Sequence, residues 1–256
     1  MKTSNKLLLA FAFLLFATAV VAMSMIRKNL TLVNEKEIVL SGQMQTKTLL
    51  DTIDKTSFEF YGSQEVLLDP DKQGVFVTAD QVIIDDITPL NGETIGLSFA
   101  TYIKRSLRKD VKLTIGVKGL EMMSILAKDN AIVKSNKPLV LAALNLRAAH
   151  DSEWAIQCEV KFLNIEAEDD VFVEIDGNAY SVDIDSWNRA SVDLSDIKID
   201  MLNLKLEQDA SLKIGHCKMM SGRLRDNTVA EFNQQKPEGY IESKHSSKAI
   251  YNQGSN

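Results

Sequence analysis

Five aspartates crowd one stretch of the chain: Asp183, Asp185, Asp193, Asp196 and Asp200. Two carboxylates held across a sugar linkage can divide acid and base work between them, which is the chemistry of polysaccharide lyases and hydrolases. Asp183 and Asp185 lie two residues apart, so on an extended strand they share a face and form the candidate pair. No Lys or Arg keeps a fixed offset from them to serve as a lyase base; the nearby basic residues are Arg189 and Lys198. The plainer reading, adopted here, is that these acids occupy outward positions of a solvated strand.

Other chemistry-bearing residues are sparse. Asp69-Pro70-Asp71-Lys72-Gln73-Gly74 has the outline of a calcium loop, but its third oxygen comes from neutral Gln73 and its twelfth position is Asp80 rather than a bidentate Glu. An ordinary turn is expected there. The histidines His150, His216 and His245 form no pair at metal-ligand spacing. His216 adjoins Cys217, yet neighbours on a strand point to opposite faces and cannot act as base and nucleophile together. Trp154 and Trp187 flank turns, where an aromatic either packs inward or stacks on a sugar or protein partner. From these residues no catalytic, cofactor-binding or metal-binding site is assigned.

The elements that position them are repeats. An apolar position recurs as Ile125, Leu144, Leu163, Val182 and Leu202, at steps of 19, 19, 19 and 20. A second recurs after a polar turn as Val133, Ile156, Val173, Val192 and Leu212, at steps of 23, 17, 19 and 20. Fixed-period self-similarity marks a solenoid, whose units bury their apolar faces only by stacking. Alternation within a unit, as in Val171-Phe172-Val173-Glu174-Ile175, makes the unit a pair of strands with inward aliphatic ladders. Cys158 and Cys217 then fall about three coils apart, ~14 Å at the usual strand spacing. A disulfide needs Cα atoms within roughly 7 Å, so free thiols are expected.

Before the repeats, Lys2 and Lys6 precede an uncharged run from Leu7 to Ile26 that stops at Arg27-Lys28. This is long enough to span a bilayer as a single transmembrane helix, while Val20 and Ala22 offer a signal-peptide cleavage site. The expected organisation is therefore 1–28 signal anchor or signal peptide, 29–80 a β-rich segment that caps the coil, 81–232 the β-solenoid, and 233–256 a polar, disordered tail. Short β-type runs recur from Phe58 onward, among them Phe58 to Tyr61, Glu65 to Leu68, Val75 to Val77 and Val82 to Ile84, while residues 95–108 fit a helix or a strand equally. A net charge of -6 supplies no basic field for phosphates, which excludes nucleic acid as a partner.

The units Leu144-Asn145-Leu146, Leu163-Asn164-Ile165, Val182-Asp183-Ile184 and Leu202-Asn203-Leu204, with the small turns Ala190-Ser191 and Ala210-Ser211, resemble the GIN domain family of bacterial auto-transporter adhesin-like heads. The resemblance covers roughly 81–232, although the turns here carry Glu168-Asp169-Asp170 or Trp187-Asn188-Arg189 where that family tends to glycine. It implies an all-β, right-handed parallel β-helix-like domain outside the cytoplasm. The expected function is a non-enzymatic cell-envelope interaction protein or adhesin-like scaffold. It is anchored through the Leu7 to Ile26 helix, periplasmic or at the surface, and binds a protein or glycan on a solenoid face without a cofactor. The competing expectation is a carbohydrate-active enzyme built around Asp183 and Asp185.

Overall fold

The computed structural model describes residues 40–53, 56–62, 64–89, 97–99 and 110–252. The expected leader and its apolar span lie outside these residues, as do most of 95–108. Among the described residues no helix is long and apolar enough to cross a membrane.

The chain is all-β, a solenoid of about seven turns with repeats of about 19 residues. Its strands are β1 (Met44–Leu50), β2 (Ser57–Tyr61), β3 (Glu65–Asp69), β4 (Gln73–Asp80), β5 (Ile87–Pro89), β6 (Leu97–Phe99), β7 (Lys112–Val117), β8 (Met122–Lys128) and β9 (Ile132–Ser135). The long bent strands β10 (Leu139–Ala149), β11 (Glu153–Glu168), β12 (Phe172–Trp187), β13 (Ser191–Leu206) and β14 (Ser211–Leu224) follow, then β15 (Val229–Phe232), β16 (Glu238–Ser243) and β17 (Lys248–Tyr251). Val82 to Ile84, expected as a strand, instead lies in a turn that runs into a short 3-10 helix at Ile84–Asp86.

Parallel pairing in register sets the ladders. Leu144, Leu163, Val182 and Leu202 do stand one above another, continued by Met220. Met123 opens that ladder, whereas Ile125 lies beside Leu146 in the next one. In the second ladder the member from β11 is Trp154, stacked between Val133 and Val173, while Ile156 pairs with Ile175. An apolar-only template steps over Trp154 because the indole carries a polar N–H; here that N–H donates to the buried Ser152 hydroxyl at 3.0 Å, and the ring is free to fill the core. Each buried Leu, Ile or Val in these ladders contributes about 1.5–3 kcal/mol relative to exposure.

From β8 onward, one corner of each coil is a turn of two residues in the left-handed region: Asp129-Asn130, His150-Asp151, Asp169-Asp170, Asn188-Arg189, Gln208-Asp209, Asp226-Asn227 and His245-Ser246. Asn, Asp and His tolerate this conformation better than other non-glycine residues, which is how these turns dispense with glycine. Stacked turns bond to one another, with the amides of Asp170 and Arg189 donating to the carbonyls of Asn188 and Gln208 at 3.1 and 2.9 Å. Directly after the turn stands a small or β-branched buried residue, Ala131, Ser152, Val171, Ala190, Ala210 or Thr228.

Both ends differ from expectation. The coil starts at β2, not at residue 81: β2 lies parallel to β8 with Phe58 beside Ile125, and β3 lies parallel to β9 with Val66 beside Val133. An excursion then covers the outer side of β3 with β7, β4 and β1, the last two antiparallel, so the parallel stack ends there. At the other end the polar segment after 232 is not disordered. β16 and β17 pair in parallel with β14 and β15 as a final coil, and Tyr251 stacks on Phe232 with ring centroids 5.0 Å apart. Ile241, Ala249 and Tyr251 pack on the core from its one stacked side, and much of the rest is polar because only that side of a terminal coil faces the core.

Candidate functional site

Two shallower bends divide each long strand. The second of them is written as two successive outward residues, Lys161-Phe162, Tyr180-Ser181, Asp200-Met201 and Lys218-Met219, which interrupt the in-out alternation. The first is where the register slips: β13 carries one residue more than β12 between Glu174 and Gly177, and β14 two fewer than β13 between Leu194 and Lys198. Between the bends lies a short middle side whose outward residues fall in two columns. Glu159, Asn178, Lys198 and His216 stand in register in one, with Val140 at its head. Lys161, Tyr180, Asp200 and Lys218 form the other.

These residues line an open groove of about 600 Å³ running across five coils. Its volume lies within the ordinary range of small-molecule sites. Tyr180 is 52% exposed in its midst, Val140 is 70% exposed at one end, and Phe162 and Met219 stand exposed in the adjoining column, three coils apart with Ser181 and Met201 between them. Apolar side chains left open together in this way mark contact surfaces. Asp200 and Lys218 pair across adjacent coils at 2.7 Å, whereas Lys161 and Lys198 form no ion pair among the described residues.

The five candidate aspartates are dispersed. Asp183 and Asp185 do face outward from one strand, on the last side of the coil and away from the groove. Asp183 accepts from the Asn203 amide at 3.1 Å, and Asp185 from the Lys205 ammonium at 3.0 and 3.1 Å. Asp193, on the first side, accepts the Ser195 amide at 3.0 Å. Asp196 sits exposed at the first bend, and only Asp200 borders the groove. Each partner that comes from the next coil holds two turns together, which is structural work for an acid on a solenoid face.

The remaining candidates resolve in the same direction. Asp69 is buried, accepts the Asp71 amide at 3.0 Å and pairs with Lys72, while Asp71 pairs with Lys137, so the D-x-D-x-x-G run is a braced turn. Among the described residues no three His, Cys, Asp or Glu side chains come together as a metal site. His150 bridges Asp129 and Asp169 along the turn column, at 3.4 and 3.2 Å, and His245 contacts Asp226 at 2.9 Å. His216 faces the groove while Cys217 points into the core, as alternation requires. Both cysteines are free and buried, and Val160, Ala179, Ile199 and Cys217 stack in one ladder that places Cys158 and Cys217 three coils apart. Burial pushes the Cys158 thiol up to about 12 and the Cys217 thiol up to about 11. Trp154 is fully buried and so belongs to the core; Trp187 is half-buried at the end of β12.

Lys161, Asn178, Tyr180 and Lys218 were missed from sequence, and Asp200, Lys198 and His216 were not connected with them, because the groove's residue types are mixed. The available signal was positional: Lys161, Tyr180, Asp200 and Lys218 recur at steps of 19, 20 and 18, each followed by a second outward residue.

A chain built this way is a capped parallel β-solenoid with an open lateral groove. No family model and no curated protein matches the chain. Solved structures share its fold. A "putative adhesin" from Bacteroides fragilis superposes with a TM-score of 0.69 at 13% identity, over 84% of this chain and 99% of that one. A second protein so named, from Parabacteroides merdae, gives 0.63 at 12%, over 84% and 98%. A "putative lipid binding protein" from Parabacteroides distasonis gives 0.60 at 12%, over 84% and 98%. At this identity the likeness establishes the fold.

Proposed function

We propose that this protein is a non-enzymatic, adhesin-like binding protein of the cell envelope and that the groove on the middle side of its coils is the binding surface. The observation that carries this is the groove itself, where Tyr180, Val140 and Lys198 stand open to solvent while Asp183 and Asp185 on the last side are tied to the neighbouring coil. The names of the fold relatives support the adhesin-like reading, as does the resemblance of the repeats to the GIN family. An apolar run from Leu7 to Ile26 bounded by Arg27-Lys28 supports export with an N-terminal anchor.

Two measurements test the reading. Protease treatment of intact and permeabilised cells, with an immunoblot reporting whether residues 1–22 are retained, should find the domain outside the cytoplasm; protection in intact cells and in spheroplasts alike would refute it. Incubation of the full chain with envelope polysaccharides should give binding that Tyr180→Ala weakens, with no new reducing ends or unsaturated products. Released fragments would establish an enzyme instead.

A further inference from the structure

We infer that the groove takes an acidic polysaccharide, with a sugar ring stacked on Tyr180 and its anionic substituents held by Lys161 and Lys198. This rests on the groove being the binding surface and names the chemistry of what fills it. Three observations carry it.

The first is charge. The whole chain carries a net charge of -6, yet the groove gathers Lys161, Lys198 and Lys218 against Glu159 and Asp200, with His216 beside them. Lys218 is engaged by Asp200, which leaves Lys161 and Lys198 uncommitted among the described residues. An acidic polymer is therefore disfavoured by the net charge of the chain and favoured at these lysines, a difference that sets register and selectivity.

The second is placement. Lys161 stands directly beside Tyr180 on the preceding coil, ~4.8 Å away along the stack. Lys198 lies on the following coil in the other column, a diagonal of ~8 Å from Tyr180. A ring lying on the Tyr180 face thus has a cation on either side along the groove. From Val140 to His216 the groove spans four inter-coil steps, ~19 Å, which suits a short extended oligomer.

The third is lining. Apart from Val140 and Tyr180, every outward residue of the two columns is charged, an amide or an imidazole. Beneath them runs a floor of Leu141, Val160, Ala179 and Ile199, stacked in register but each more than nine-tenths buried, so an acyl chain would find little open apolar area. Hydroxyl-rich rings find donors and acceptors throughout.

The test is isothermal titration of the full chain with two matched pairs: oligogalacturonate against its methyl ester, and dextran sulfate against dextran. Vesicles of phosphatidylglycerol and of phosphatidylcholine serve as a lipid arm. The expected result is that the charged member of at least one pair binds roughly tenfold or more tightly than its neutral counterpart. The double variant Lys161→Gln/Lys198→Gln should abolish that preference without affecting the neutral sugar, and Tyr180→Ala should weaken both members. Which pair responds distinguishes carboxylate from sulfate as the anion. Equal binding within both pairs, still lost in Tyr180→Ala, overturns the anionic assignment but leaves the groove as the binding surface. Lysine-dependent binding to phosphatidylglycerol vesicles with no binding to either oligosaccharide assigns the groove to a lipid headgroup and overturns the proposal. No binding to any probe overturns it as well, and binding indifferent to Tyr180 and to both lysines takes the groove reading down with it.

Discussion

Gly177 is the position where the spacing between coils can be tested directly. It lies at the first bend of β12, opposite Cys158 of the preceding coil, with φ at +117°. A Cβ added there would stand 2.0 Å from the Cys158 carbonyl oxygen, about an ångström inside the 3.0 Å that real contacts respect. Two costs therefore combine in Gly177→Ala. The left-handed backbone costs an L-residue ~1–2 kcal/mol, and forcing packed backbones apart costs ~1–3 kcal/mol, for an expected loss of about 2–5 kcal/mol. Two controls separate them. Gly119 has φ +85° with nothing within 4 Å of an added Cβ, so Gly119→Ala carries the conformational cost alone. Gly215 lies outside the left-handed region but would place its Cβ 1.8 Å from the Ser195 carbonyl oxygen, so Gly215→Ala carries the clash alone. Urea unfolding followed by far-UV circular dichroism should rank Gly177→Ala and Gly215→Ala below Gly119→Ala. If Gly177→Ala were within ~0.5 kcal/mol of Gly119→Ala, the coils would slide to admit a methyl group, and the rigid stacking on which the groove depends would be refuted.

The thiols of Cys158 and Cys217, pushed up by burial to about 12 and about 11, should resist iodoacetamide at pH 8 in the folded chain and react at once in denaturant. Because both values are raised, the stability they contribute is complete below the unfolded value of 9.0 and is lost as pH rises toward the folded values. The Asp80 carboxylate accepts the amides of Val82 and Gly42 at 2.9 and 2.7 Å and the Ser41 hydroxyl at 2.9 Å; the Val82 bond foremost, these hold it below its ordinary 3.8. Its stabilisation is thus present above pH 3.8 and lost as pH falls below it, so the gap in melting temperature between the native chain and Asp80→Asn should close on acidification. Ser152→Ala leaves the buried Trp154 indole N–H without a partner and should cost about 1–3 kcal/mol, and much less when Trp154→Phe is already present. Asp185→Asn, which loosens a half-exposed pair with Lys205, should change stability by no more than ~1 kcal/mol and leave groove binding intact.

The interior of this protein was legible in its sequence because stacking imposes one apolar residue per coil at each inward position. The ladder through Leu144, Leu163, Val182 and Leu202 is that constraint written out. Inward packing of Trp154 was legible, but its place in the ladder was not, because Ile156 two residues on offers an apolar residue on the same face. The first coil escaped notice because the chain leaves it at Asp69 and returns only at β7 and β8, so its repeat step to Ile125 is no longer about 19 residues. The last coil escaped because a surface composition reads as a tail when one of its faces has nothing stacked upon it.

The groove was illegible for a related reason that bears on function. Outward positions satisfy no stacking rule, so nothing in the fold requires Lys161, Tyr180, Asn178 and Lys198 to be what they are. The aspartates at 183 and 185 attracted attention as a chemical pair, yet their partners, Asn203 and Lys205, lie exactly one register step away and account for them as bonds between coils. Tyr180 and Lys161 have no such account: they are neighbours in register, they stand open, and neither braces the other. On a solenoid, a functional residue is therefore best sought among outward side chains that the next coil does not use, and by that criterion the middle side of the coils is where binding is to be measured.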